Sequence, residues 1–288
     1  MHIAPSELII NDDGSIFHLH LKPHEVAHKI ILVGDPSRVS IVAEHFDDVE
    51  YEVESREFHT ITGTYNGKHI SVVSTGIGCD NIDIVLTELD ALVNIDFSTR
   101  DAKTELTTLE IVRLGTCGGL QQYTPVGTFI ASQKSIGFDG LLNFYADRNK
   151  VCDLQAEQAF LQHMQWAQPL CLPYVIDADK ELLERIATTD MVRGITIACN
   201  GFYGPQGRRL RLPLADPEQN VKVEAFKYQD LHITNYEMES SAVAGMSAML
   251  GHKAMTCCMV VAGRRTGEAN TTYKKTIDTL ITKVLDRI

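Results

Sequence analysis

The chain has 288 residues, 44% of them hydrophobic, which is enough for one large α/β domain with a sizeable core. Its formal net charge of −12 argues against a nucleic-acid-binding or membrane-binding surface, so a bound anion must be held by a local group of basic side chains. Seven cysteines, an odd number without a CxxC pair, indicate reduced thiols and a cytoplasmic protein.

The first segment, "MHIAPSELIINDDGSIF", has no basic region followed by an apolar core, so we predict no signal peptide. No run in the chain approaches about 18 apolar residues, and we predict no membrane span. The alternation of "HLH" at 18–20 is compatible with a strand. His18 taken alone is typical of a surface histidine.

The first strand-to-helix turn lies in "KIILVGDPSRV", 29–39. The strand ends at Gly34, Asp35 can cap a helix, and Pro36 suits the first helical position. Backbone N–H groups at such a turn form an anion site, and Arg38 lies in the first turn. This stretch alone favours an ordinary turn with a solvated arginine. The apolar face of the predicted helix comprises Val39, Val42, Ala43 and Phe46.

A second strand, "HISVVSTG" (69–76), leads into "STGIGCDN" (74–81), which lacks the third glycine of a dinucleotide-binding fingerprint. We therefore expect close backbone contact with a ligand or another strand here, and not an NAD site. The apolar spacing that follows predicts a helix whose stripe comprises Ile82, Val85, Leu86, Leu89, Leu92 and Val93. We predict a surface loop over 98–106.

The stretch "EIVRLGTCGGL", 110–120, begins as a buried strand and contains Arg113. The glycines that follow predict a turn. A guanidinium is costly to bury without an anionic partner. The residue by itself favours a structural salt bridge with a core carboxylate over a ligand contact.

The remaining strands with clear patterns are 127–132 and 254–263. A helix is predicted from Glu239 to Leu250, with Gly251 as its stop, and another over 277–288. The region 140–225 is less regular, and 203–220 is predicted to be a long excursion of the kind that often has a function.

Strands that alternate with helices predict an α/β fold with a mixed central sheet and helices on both faces. No linker divides the chain, so we predict one domain over 1–288. Arg38, Arg113 and the Thr116 hydroxyl would all lie at carboxyl ends of parallel strands, where open α/β sheets bind ligands. Two guanidiniums, a hydroxyl and glycine N–H groups suit phosphate.

Six motifs in order give a specific resemblance. The chain resembles the nucleoside phosphorylases of the type that includes uridine phosphorylase, from "IFHLHL" (16–21) nearly to its end. The motifs are "GDPSRV", "SREF", "STGIG", "RLGTCGGLQ", "GFYGPQGR" and "NYEMES". The resemblance implies phosphorolysis of a nucleoside to a free base and ribose 1-phosphate, in nucleoside catabolism and pyrimidine salvage.

The resemblance also implies roles for individual residues. Phosphate would be bound by Gly34, Arg38, Arg113 and Thr116, and by Arg56 of a neighbouring subunit. Ribose would contact Glu237, Met238 and Glu239, with His18 of the neighbour near the 5′-hydroxyl. The base would face Phe202, Gln206 and Arg208. Arg113, Glu239 and Arg208 are the expected catalytic residues. The implied assembly is a homodimer with shared active sites, either alone or within a hexamer.

The chemistry of the reaction is consistent with these residue types. A bound phosphate dianion aimed at C1′ needs mainly position and desolvation. Glu239 can accept hydrogen bonds from the ribose diol, although stabilisation of a helix dipole is the favoured interpretation of that residue alone. Met238 alone is typical of a core residue. We predict no cofactor and no metal, with inorganic phosphate as co-substrate.

The base is predicted from two segments. Gln206 can both donate to and accept from a uracil edge, and Arg208 can donate to a carbonyl that gains charge. Purine-cleaving relatives have an aspartate near the end of the last strand, whereas "VVAGRRTGEAN" (260–270) has none, which favours a pyrimidine. The pair Arg264–Arg265 replaces an expected asparagine–arginine pair.

Three alternatives remain open: a phosphorylase of broader or purine specificity, a nucleoside hydrolase that uses water, and a non-catalytic nucleoside-binding module. Three candidate phosphate arginines argue against the hydrolase. Retention of Glu239, Arg113 and Arg208 argues against loss of activity.

Overall fold

A central mixed sheet organises the molecule. A computed structural model describes residues 2–288, with the side chains of residues 274 and 275 outside the description. The strands are β1 (Lys29–Val33), β2 (Asp48–Ser55), β3 (Phe58–Tyr65), β4 (Lys68–Ser74), β5 (Ile95–Asp96), β6 (Asp101–Ala102), β7 (Glu110–Gly119), β8 (Phe129–Gly137), β9 (Tyr174–Asp177), β10 (Val192–Ala198), β11 (Lys227–Tyr228), β12 (Leu231–Glu237) and β13 (Lys253–Gly263). The main sheet has the order β11-β12-β10-β8-β13-β7-β1-β4-β3-β2, with β9 beside β8.

Helices cover both faces of this sheet, as the sequence predicts. They are α1 (Ser37–Ala43), α2 (Cys79–Asn94), α3 (Leu154–Met164), α4 (Lys180–Ile186), α5 (Gln219–Ala225), α6 (Ser240–Leu250) and α7 (Lys274–Arg287). Alternate residues of β1 pack into the hydrophobic cores on the two faces of the sheet. Ile30 and Leu32 pack with α2 and α6, whereas Ile31 and Val33 pack with α1, α4 and α7. A strand covered on both faces has no polar side, which explains its continuous apolar run.

Five strands close into a ring. The pairs β12–β10, β10–β8, β8–β13 and β13–β7 are completed by an antiparallel contact between β7 and β12, where Gly118 faces Tyr236 and Gly119 faces Asn235. The predicted glycine-rich turn after Arg113 is therefore wrong, because the strand continues through Gly119. A Cβ at Gly119 would lie 2.3 Å from the Thr124 carbonyl oxygen, so glycine permits the close approach.

Other predictions need correction. The region 140–225 contains α3, β9, α4, β10 and α5. These elements are short, so their apolar residues form no extended periodic pattern from which they could be predicted. The hairpin β2–β3 was missed. The segment 18–20 lies in a turn region and forms no strand, α1 ends before Phe46, and the loop at 98–106 includes the two-residue strand β6.

All seven cysteines are free thiols. Within residues 2–288, none of the helices combines the length and the apolar character that crossing a membrane requires.

Candidate active site

A cavity of about 700 Å³ opens at the carboxyl ends of β1, β4 and β7. These three strands are parallel, as the sequence predicts for the strands that carry the phosphate candidates. Ten of the twelve predicted site residues line the cavity: Gly34, Arg38, Arg113, Thr116, Phe202, Gln206, Arg208, Glu237, Met238 and Glu239.

Arg38 marks one end of the cavity. Its side chain is buried, and its Nη1 donates a long hydrogen bond of 3.4 Å to the Leu114 carbonyl oxygen. In the part of the chain that the structure describes, no carboxylate forms a salt bridge with this guanidinium. Gly34 lies close by, where a Cβ would come within 3.3 Å of the Gly76 carbonyl oxygen. A buried cation without an anionic partner is suited to an anionic ligand.

Arg113 does have anionic partners. Its Nη1 lies 3.0 Å from Oε2 of Glu237, and its Nη2 donates to Oε2 of Glu239. We call these three buried residues the cavity triad. Burial by itself would lower the pKa of Arg113, but the two carboxylates outweigh it and raise that pKa. Gly115 makes room for the guanidinium, since a Cβ there would lie 2.4 Å from Nη1.

The structure thus provides the salt bridge that Arg113 alone would suggest, and places it inside the cavity. Arg113 faces both the carboxylates and the space where a ligand would lie. A structural role and a ligand role are compatible at this position.

The two carboxylates of the cavity triad have different surroundings. Glu237 accepts hydrogen bonds from the N–H of Glu239 and from the N–H and hydroxyl of Ser240, at 2.7 to 3.0 Å, and so caps α6. Glu239 instead accepts the N–H of Gly78 at 2.8 Å. The helix-stabilising role considered for Glu239 therefore belongs to Glu237. Burial raises the pKa of Glu239, and Arg113 opposes that effect.

The opposite end of the cavity carries Phe202, Gln206 and Arg208. Nη1 of Arg208 donates to the Phe202 carbonyl oxygen at 2.8 Å and to Oε1 of Gln206, and its Cζ lies 3.8 Å from the centre of the Phe202 ring. Burial, together with Arg264, lowers the pKa of Arg208 to about 10, so this guanidinium stays cationic at neutral pH.

Arg264 is a residue whose role the sequence left open. Its Nη2 donates to the Gln206 carbonyl oxygen at 2.9 Å, and a Cβ on Gly118 would lie 3.5 Å from its Cδ. Arg265 points elsewhere and pairs with Glu224 on the surface. The available signal was the position of Arg264 directly after β13, a strand parallel to β7. Arg264 itself does not line the cavity, and the lining residues that we did not predict include Glu57, Asn81, Tyr236 and Tyr273.

His18 and Arg56 do not line the cavity of their own chain. They lie together in a group that we call the surface cluster, defined as Phe17, His18, Arg56 and Glu88. The Phe17 and His18 rings are 4.7 Å apart, and Cζ of Arg56 lies 5.5 Å from the centre of the Phe17 ring. Arg56 occupies the turn between β2 and β3 with a positive φ of 58°.

Comparisons with known proteins identify the family. Residues 28–286 match the family model described as the phosphorylase superfamily. The uridine phosphorylase of Thermococcus kodakarensis is 28% identical over 265 residues, covering 89% of this chain and 80% of that protein. A DeoD-type purine nucleoside phosphorylase of Oceanobacillus iheyensis is 29% identical over 275 residues, covering 94% of this chain and 98% of that protein.

Among solved structures, the Trypanosoma brucei nucleoside phosphorylase superposes with a TM-score of 0.86 at 28% identity. The match covers 98% of this chain and 100% of the other, and that protein is described as showing uridine phosphorylase activity.

Proposed function

The chain belongs to the phosphorylase superfamily, and we propose that it catalyses the phosphorolysis of uridine to uracil and ribose 1-phosphate. The observation that carries this proposal is one cavity with three chemically distinct parts. At one end lies Arg38, for which no salt bridge is found among residues 2–288; Glu239 is a buried carboxylate in the middle, and Gln206 with Arg208 forms a polar base-sized end.

In this proposal, phosphate binds beside Gly34, Arg38, Arg113 and Thr116. The Arg38 guanidinium has donors available, because the one hydrogen bond found for it among residues 2–288 is long. Phosphate also accepts hydrogen bonds from Arg113, whose guanidinium is paired with Glu237 and Glu239. Fixing the dianion below C1′ converts a slow encounter in water into an attack within the bound complex.

Ribose would lie across Met238 and Glu239. Glu239 is held by Gly78 and Arg113, and its carboxylate would accept hydrogen bonds from the ribose diol. As the C1′–N bond breaks, positive charge develops on the sugar, and an adjacent carboxylate stabilises it. Phosphate oxygen then bonds to C1′, and the bonding electrons leave with the base.

The base would be recognised by Gln206 and Arg208. The departing uracil carries negative charge on its carbonyl oxygens, and a cationic donor stabilises that charge. Arg264 adds a second cation behind Gln206, close enough to Arg208 to affect its pKa. Residues 260–270, at the end of β13 and directly after it, include no aspartate to protonate a purine.

We further propose that the working enzyme is a homodimer or a larger assembly built from such dimers. Arg56 and His18 lie outside their own cavity but together in the surface cluster. A two-fold axis would offer both residues of one subunit to the cavity of the other, and the reverse.

A purine nucleoside is the second candidate substrate. The observation that favours it is the relative from Oceanobacillus iheyensis, a purine nucleoside phosphorylase at 29% identity. Arg208 and Arg264 argue for uridine, because a purine N7 must be protonated as the base leaves and two cations oppose that protonation.

The test is release of base from uridine, cytidine and inosine, each with and without phosphate. We expect uracil release that depends on phosphate and yields ribose 1-phosphate, with cytidine and inosine much poorer. Equal release without phosphate would indicate hydrolysis. Binding without turnover would indicate a binding module. Inosine cleaved as well as uridine would support the second candidate.

A further inference from the structure

Glu88 is the anchor of the surface cluster. This residue of α2 has a side chain that is 12% exposed. Its two carboxylate oxygens each accept the backbone N–H of His18 at 3.1 Å, and Oε2 accepts that of Leu19 at 2.9 Å. Oε1 also lies 2.6 Å from Nδ1 of the His18 ring. One carboxylate therefore holds both the backbone and the side chain of His18.

This contact determines which ring nitrogen of His18 carries a hydrogen. A carboxylate only accepts hydrogen bonds, so Nδ1 must be the donor. A neutral imidazole has a single N–H, and Nε2 is then left as an acceptor. Within residues 2–288, Glu88 is the hydrogen-bond partner found for the ring. The free acceptor matches the O–H of a sugar hydroxyl.

The same helix also supports the catalytic carboxylate. Gly78, the residue before α2, donates its N–H to Glu239, and Glu88 lies about 15 Å further along the helix at 1.5 Å per residue. One rigid element thus sets the position of the cavity triad and of the surface cluster. A shift of α2 would therefore displace both groups.

We propose that Glu88 is a positioning residue for substrate binding. It fixes the tautomer and the orientation of His18, so that Nε2 accepts a hydrogen bond from the 5′-hydroxyl of a nucleoside in the neighbouring subunit. This role rests on the proposed function and on the proposed dimer. Glu88 itself does not line the cavity, so it acts through His18.

The kinetic test compares Glu88→Gln with the wild type on uridine and on 5′-deoxyuridine, which lacks the hydroxyl. Loss of one well-placed hydrogen bond changes kcat/KM by about tenfold. We expect that loss for uridine, while the value for 5′-deoxyuridine stays unchanged. His18→Ala should reproduce the result, and Glu88→Gln should add nothing in the His18→Ala background.

Asp90→Asn is the matched control, because Asp90 is also a carboxylate of α2 but bonds Asn94. It should leave the preference for uridine over 5′-deoxyuridine unchanged. An equal loss on both nucleosides in Glu88→Gln would mean a merely structural role and would overturn the proposal.

A measurement without turnover separates this inference from the proposed function. The ¹⁵N resonances of the His18 ring, assigned with His18→Gln, should show hydrogen on Nδ1 in the wild type and a redistribution in Glu88→Gln. Hydrogen on Nε2 in the wild type would overturn the role of Glu88 even in an active enzyme. Failure of the wild type to cleave uridine would overturn the proposed function and, with it, this role in substrate binding.

Discussion

The cavity triad and the surface cluster are two charged groups that differ in their exposure to solvent. In the triad, Arg113 is buried between Glu237 and Glu239, and all three side chains are at most 5% exposed. In the surface cluster, His18 is 29% exposed and Arg56 lies on a hairpin turn. In the triad one guanidinium is shared by two buried carboxylates, and these contacts help to hold the fold together. His18 and Arg56 of the surface cluster do not line the cavity described above, and in the proposed dimer they would contact a ligand in the cavity of the second subunit.

The difference predicts how each group responds to substitution. Removing one member of a buried charge network leaves uncompensated charge and destabilises the fold. Removing an exposed member costs little stability, because water replaces the lost contacts. Substitutions in the cavity triad should therefore lower both activity and stability, whereas substitutions in the surface cluster should lower activity alone.

The largest effect is expected for Arg113→Ala. The substitution leaves two buried carboxylates without their cation and removes a proposed phosphate donor. We therefore expect kcat/KM to fall by a factor that corresponds to about 2–5 kcal/mol of transition-state stabilisation. The Tm should fall as well. Arg56→Ala is the matched control, and it should lower activity while leaving Tm almost unchanged. An Arg113→Ala protein with normal Tm, or an Arg56→Ala protein that unfolds early, would contradict the comparison.

Mixing these two variants tests whether the groups meet across a subunit interface. Each is expected to be nearly inactive alone. After dissociation and reassociation at equal amounts, half of the dimers should be hybrids with one intact site of two, which restores about a quarter of wild-type activity. Hybrid oligomers that form but recover nothing would argue against shared sites, as would an active wild-type monomer.

The base end of the cavity should give the next largest effects. Arg208→Ala removes a charged donor, and we expect a larger loss than for Gln206→Ala, which should cost about 1–3 kcal/mol. Both interactions strengthen as charge reaches the base, so kcat as well as kcat/KM for uridine should fall. The exposed Arg209→Ala, one residue away, is the control and should change neither value. Unchanged uridine turnover in both variants would remove this loop from base recognition.

The two carboxylates of the cavity triad should differ in a smaller but specific way. Glu239→Gln weakens the predicted contact with the ribose diol, so uridine should lose about 1.5 kcal/mol more than 2′-deoxyuridine. Glu237→Gln should affect both nucleosides equally, because the Glu237 oxygens are bonded to α6 and Arg113. If Glu237→Gln alone changes the preference for the 2′-hydroxyl, the assignment of the two residues is reversed.

The sequence predicted the parts of this molecule that local pattern controls. The apolar runs of β1 and β13 and the stripes of α2 and α7 are properties of short segments, and the structure confirms them. The turn assigned to the glycines after Arg113 is wrong because a long-range contact with β12 extends β7 through Gly119. Propensity reports the conformational freedom of glycine, and only the tertiary fold decides how that freedom is used.

The candidate site divides along the same line. Ten site residues follow from motifs that fall at strand ends and on one loop, and they do share one cavity. The capping of α6 by Glu237 and the position of Arg264 beside Gln206 depend on side-chain directions that no spacing specifies. The contact between His18 and Glu88 joins residues 70 positions apart, and neither residue type predicts it.

The smallest effect is expected at Phe202, where the structure refines the prediction of base stacking. The side chain is 49% exposed, and one face of its ring is occupied by the Arg208 guanidinium. In the proposed function a base would therefore meet only the other face or the edge of the ring, and Phe202 would serve mainly to bind it. Phe202→Ala should raise KM for uridine by a factor that corresponds to about 1 kcal/mol and should leave kcat nearly unchanged. Phe202→Tyr keeps the ring and should behave like the wild type. A fall in kcat as large as that of Arg208→Ala would show that Phe202 acts by holding the guanidinium, because a group that only binds the base lowers ground state and transition state together.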